Sequence, residues 1–165
     1  MNIMKHAFLI LLVPIVFACS SSNHSENISI VEKYVKSVEN LDYNTMESLL
    51  ADDYLGLGPS ANDTIGKVAA LENWKINVEN LYQKIQYTRS QFAGIAVEEG
   101  ENKGDWVSNW AELIIEYKNN KGTAKIWANS IYKIENGKIV KSYTFYNEAD
   151  VLRQLGYVFI NPNDL

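Results

Sequence analysis

The chain has one cysteine, Cys19, and two histidines, His6 and His24, in 165 residues. All three lie ahead of the first periodic segment, so the folded part is expected to contain neither residue type. That excludes a disulfide, a cysteine nucleophile, a Ser-His-Asp triad and the usual zinc sites, and no metal ligand set or cofactor motif is read. There is also no excess of basic charge: 15 Lys and Arg stand against 20 Asp and Glu, a net charge of −5. A nucleic-acid binder shows a basic stripe, and none is present. The one long apolar run, Ala7 to Ala18, is interrupted by Pro14 and falls short of the roughly 20 residues that a membrane span needs. With 47% apolar and 12% aromatic residues the remainder reads as globular.

What is present begins with the N-terminus. Lys5, the apolar run and the small residue Ala18 follow the order of a secretory leader. Val16-Phe17-Ala18-Cys19 resembles the lipobox of bacterial lipoproteins. The resemblance implies cleavage before Cys19, a lipid on that residue and anchoring to a membrane. Ser20 in place of Asp resembles outer-membrane sorting, so the expected location is the cell envelope, as an outer-membrane lipoprotein facing the periplasm. The expected organisation is a leader over 1–18, a lipidated Cys and flexible tether over 19–27, and one domain over 28–165.

Ile28, Val31, Tyr34, Val35, Val38 and Leu41 have helical spacing. Asp42 and Asn44 can cap a second, short helix, with Asn44 and Glu47 at capping-box spacing. Tyr54 to Leu57 reads as a short strand. Asp63 or Thr64 is expected to open a third helix whose inner face is Val68, Leu71, Trp74, Val78 and Leu81. From Ile85 the pattern changes to four long strands: Ile85 to Val97, Trp106 to Tyr117, Thr123 to Glu135 and Lys138 to Asn147. An Asn136-Gly137 hairpin signal joins the last two, and Glu148 to Leu155 reads as a final helix. Helices followed by long antiparallel strands predict an α+β domain in which a curved sheet wraps the helices and leaves a pocket.

Val31-Glu32-Lys33-Tyr34-Val35 through Leu50-Ala51-Asp52-Asp53 resembles the opening of the nuclear transport factor 2-like superfamily. Glu135 to Val140 and Leu152-Arg153-Gln154-Leu155-Gly156 resemble the last hairpin and the end of its SnoaL-like polyketide cyclase group. The resemblance implies a cone-shaped sheet closed by N-terminal helices, an internal pocket and commonly a homodimer packed through the sheet's outer face. It does not by itself assign a reaction. Where SnoaL-like cyclases carry a His-Trp-Asp run, this chain has Ser142-Tyr143-Thr144. Ketosteroid isomerase, of the same superfamily, uses an Asp base with a Tyr and a protonated Asp. Tyr34 falls at the tyrosine position here, but the base position falls on Gly58 and the second acid near Ser130. Neither glycine nor an unactivated serine takes a proton at neutral pH, so no catalytic residue is assigned. Asp63 is read as a helix cap.

Strand parity gives the expected pocket wall. The third long strand turns Ile126, Ala128, Ser130, Tyr132 and Ile134 to one side, the second Val107, Asn109, Ala111 and Leu113, and the fourth Ser142, Thr144 and Tyr146. The expected ligand-binding set is Tyr34, Trp74, Asn109, Ser130, Tyr132, Ser142, Thr144 and Tyr146, around a small, largely apolar molecule. The other face carries Trp106, Trp110, Ile114, Trp127 and Ile131, an exposed apolar patch suited to a homodimer. Two alternatives stand beside ligand capture: an enzyme whose acid-base groups the sequence does not locate, and an envelope interaction domain with a filled pocket.

Overall fold

The computed structural model describes residues 24–164. The leader, Cys19 and the first part of the tether lie outside the described residues. The first helix, α1, spans His24–Glu39, beginning within the expected tether and four residues before Ile28. The extra turn is anchored: Asn27 is buried, and His24 lies against Gly94, where an added Cβ would come within 2.7 Å of the imidazole. The folded part therefore does contain one histidine. Val31, Val35 and Val38 form the buried stripe of α1. The helix stops at Leu41, whose φ of 55° is left-handed. Leu41 packs its side chain on the core, while the Asp42 amide reaches back to the Ser37 carbonyl at 2.8 Å and closes the last turn.

Helix α2, Tyr43–Leu49, is capped by Asp42, whose carboxylate accepts from the Thr45 amide at 3.1 Å and the Thr45 hydroxyl at 2.6 Å. Asn44 lies inside this helix. Strands β1 (Leu50–Leu57) and β2 (Thr64–Gly66) follow, then helix α3 (Lys67–Asn80). Here the structure corrects the expected helix start. Asp63 instead stabilises the turn before β2, its carboxylate accepting from the Ser60 amide at 3.3 Å and its carbonyl from the Gly58 amide at 3.1 Å. Helix α3 begins after Gly66 without a side-chain cap, Leu71 is its buried residue, and Val68 is exposed.

The four long strands appear close to their expected limits as β3 (Tyr82–Val97), β4 (Gly104–Tyr117), β5 (Gly122–Glu135) and β6 (Lys138–Tyr146), followed by helix α4 (Glu148–Gln154) and a single 3₁₀ turn (Pro162–Asp164). The hairpin between β5 and β6 turns at Asn136 and Gly137, both with positive φ, as a two-residue turn of this kind requires. The sheet order is β2-β1-β6-β5-β4-β3. All neighbouring pairs are antiparallel except β1 and β6, which run parallel. The sheet is thus mixed. In β3 the register shifts between Thr88 and Gln91, and Arg89 has a φ of 51°. Such a bulge sharpens the local twist and bends the strand around the helices.

Two packed clusters fill the concave side. One centres on Val31, Val35, Leu50, Tyr54, Val107, Tyr132, Ile134 and Ile139. The other gathers Val38, Met46, Leu71, Ile85, Leu113, Ile115, Ile126 and Val151, with Trp74, Tyr82, Tyr117 and Tyr146 at its margin. On the convex side Trp110 is 41% exposed, Trp127 56% and Phe145 52%. Trp106 departs from the expectation for that face. It is 4% exposed, stacks on Tyr143 at 6.0 Å and donates its indole N–H to the Asn102 carbonyl at 2.7 Å. The turn after β3 folds over it and removes it from the patch.

Candidate functional site

A cavity of about 350 Å³ opens on the concave side of β3 to β6, between α3 and α4. Its floor is apolar, built from Ile85, Leu113, Ile115, Ile126 and Ala128, with Val38 from α1 and Val151 from α4. This size and character fit a small-molecule site. Of the eight expected lining residues, Trp74, Asn109, Ser130, Thr144 and Tyr146 border the cavity. Tyr34, Tyr132 and Ser142 do not, which corrects the expected set. Parity places Tyr132 and Ser142 on the concave side, where Tyr34 packs from α1, but that end of the sheet is filled by α1 and Tyr54. Tyr34 and Tyr132 pack edge to face at 5.6 Å, and the Ser142 hydroxyl shares a hydrogen bond of 2.7 Å with Tyr54. Burial raises the pKa of the Tyr34, Tyr54 and Tyr132 phenols, so these are neutral core groups.

Several polar groups at the cavity are already committed. Ser130 and Thr144 bond one another at 3.0 Å across the β5–β6 ladder. The Asn109 amide donates to Ser90 Oγ at 2.7 Å and to the Gln91 carbonyl at 3.1 Å, which holds the β3 bulge. Trp74 differs. Its Nε1 is buried without a hydrogen-bond partner among the described residues, and the side chain borders the cavity. A buried donor left unpaired costs free energy, but this nitrogen is closed off from the open space, so the ring and not the N–H faces the cavity. His24 Nε2 is also buried without a partner among the described residues, and His24 does not line the cavity.

Sequence reasoning missed Tyr82, Tyr117, Tyr157 and Glu148, all of which border the cavity. For Tyr117 the signal was available, since it continues the alternation of Asn109, Ala111 and Leu113. Tyr82 lay ahead of the expected start of its strand. Glu148 was assigned to the final helix with no reason to face inward. Burial, followed by the charge of Glu148, raises the Tyr82 phenol, and burial with neighbouring Tyr82 raises the Tyr117 and Tyr146 phenols to about 12. All are protonated at neutral pH. Among the lining residues only Glu148 and Lys121 carry a charged side chain.

The positions at which the resemblance would place acid-base groups are Gly58, Ser130, Ser142 and Thr144. Gly58 has a φ of 94°, and a Cβ built there would run into the Thr144 carbonyl oxygen, so this backbone has no room for an aspartate at that position. Ser130 and Thr144 are paired as described, and Ser142 is bonded to Tyr54.

No family model and no curated protein matches this sequence. Solved structures do. A candidate polyketide cyclase from Silicibacter sp. superposes with a TM-score of 0.65 at 14% identity, over 78% of this chain and 94% of that one. An LEH-like epoxide hydrolase from M. tuberculosis gives 0.58 at 13% identity, over 81% and 91%. A protein with a ketosteroid isomerase-like fold from Catenulispora acidiphila, solved with trimethylamine, gives 0.60 at 14%, over 78% and 93%. The chain therefore has the nuclear transport factor 2-like, SnoaL-like fold that the resemblance implied.

Proposed function

We propose that this chain is an exported, lipid-anchored domain that holds a small, largely apolar molecule in its cavity without the superfamily's acid-base catalysis. The observation that carries the reading is the apolar cavity of about 350 Å³ between α3, α4 and the concave side of the sheet. A fully packed scaffold would have none. One protein of the same fold was solved with a small organic amine, trimethylamine, which is consistent with ligand capture. The competing enzymatic reading rests on Glu148, the one carboxylate among the lining residues, and on a cyclase and an epoxide hydrolase of the same fold. Incubating the purified protein with a ketosteroid, a polyketide and an epoxide separates the two. No turnover is expected. Conversion that collapses in Glu148→Gln would replace this reading with an enzyme.

Anchoring rests on the Val16-Phe17-Ala18-Cys19 run. Two or three acyl chains hold a protein stably on a membrane, whereas one is marginal. Mass spectrometry of the mature N-terminus is expected to show acylated Cys19, and an unmodified chain beginning elsewhere would contradict it.

Assembly is proposed as a homodimer through the convex face. Trp110, Asn129 and Phe145 form one cross-strand row in register, and Trp127 lies diagonally beside it, two residues along β5. An exposed apolar patch of this kind marks an interface. Trp127→Glu would place a charge where the interface excludes water, so sedimentation is expected to shift from dimer to monomer. An unmutated protein that sediments as a monomer at high concentration would end the proposal.

A further inference from the structure

The margin of the cavity has a chemistry that ligand capture alone does not require. Trp74 and Tyr82 meet at 5.7 Å with their planes 41° apart, and Tyr82 and Tyr117 meet at 5.7 Å and 61°. These inclined contacts pack the three rings into one aromatic wall at the margin of the cavity. Tyr146 borders the same space, and Glu148 stands at its edge. Burial is the main cause of the raised Tyr82, Tyr117 and Tyr146 phenols, and the nearby Glu148 charge adds to it in all three. Neutral phenol rings with an adjacent carboxylate offer an organic cation ring quadrupoles and a counter-charge together. A phosphate or carboxylate ligand would find no arginine there. Lys121 and Glu148 are both exposed at the margin, and a second carboxylate, Asp63, also bears on Tyr146, so negative charge outweighs positive there.

We propose that the cavity selects an organic cation, a quaternary ammonium or similarly alkylated amine set among Tyr82, Tyr117, Tyr146 and Glu148, joined to an apolar body that fills the floor of the cavity. The proposal rests on the ligand-capture reading and specifies its ligand class. An alkylated ammonium has few or no N–H groups to lose to desolvation, so an aromatic surround and one carboxylate suffice to hold it.

The test is a pair of probes of one shape: benzoylcholine and 3,3-dimethylbutyl benzoate, in which carbon replaces the charged nitrogen. Both are titrated calorimetrically into the full mature protein in detergent. Benzoylcholine is expected to bind about tenfold more tightly or better. Glu148→Gln should bring the ratio toward one while leaving the affinity for the neutral ester unchanged. Circular dichroism checks that the variant is folded. If the neutral ester binds as tightly as benzoylcholine, the cation proposal is wrong while the apolar-pocket reading stands. If neither ester binds and an apolar fluorescent dye is also refused, both are wrong.

Discussion

Replacing Tyr132 with alanine is expected to cost about 3–5 kcal/mol of folding stability. Tyr132 is 6% exposed and lies in the cluster with Val31, Val107 and Ile139, the largest fully buried side chains of the domain. Its ring meets Tyr34 edge to face, so the truncation removes both buried area and an oriented aromatic contact. The surrounding β4, β5 and α1 residues cannot all move inward to close the void. A domain of this size is stable by about 5–15 kcal/mol, so the loss is a large fraction of the total. Urea unfolding should show a lower midpoint with an unchanged slope. Tyr132→Phe keeps the ring and should cost no more than about 1 kcal/mol. A loss below about 1 kcal/mol for the alanine variant would show that this end of the sheet is not packed as described.

The opposite behaviour is expected at Ala128, four residues along the same strand. Ala128 borders the cavity and pairs with Ala111 and Tyr146. Ala128→Trp directs an indole into a space of about 350 Å³, so ligand binding should fall at least about a hundredfold, close to 3 kcal/mol. Stability should change little, because the new ring enters empty volume instead of displacing packed neighbours. Trp127→Ala, one residue away on the convex face, serves as the control and should leave binding intact. Together Tyr132→Ala and Ala128→Trp separate the filled end of the concave side from the open end.

That separation was not legible in the sequence. Alternation along β4 to β6 shows which side chains face inward, and it did so correctly for Asn109, Ser130, Tyr132, Thr144 and Tyr146. It contains no information on how far α1 reaches along the sheet. Tyr132 and Ser142 were therefore grouped with residues that border the cavity. The long strands, α1 and the Asn136-Gly137 turn were legible because periodicity and turn chemistry are local. The parallel pairing of β1 with β6 was not, since it joins segments more than eighty residues apart. Strand β2, with three residues, is too short for any alternation to register. His24 was read as tether because polar neighbours mask its role, which depends on the absence of a side chain at Gly94. Glu148 was overlooked for a related reason: a charged residue in the first turn of a helix suits the helix dipole, and that ordinary explanation hides its position at the cavity.

The central claim is that the cavity is a ligand site. The most direct measurement is native mass spectrometry of the mature chain purified from its own host, beside Ala128→Trp prepared the same way. The account predicts a non-covalent adduct of one small molecule per chain in the unmutated protein and none in the variant. A spectrum with no adduct in the unmutated protein, or an adduct that Ala128→Trp retains, would contradict it.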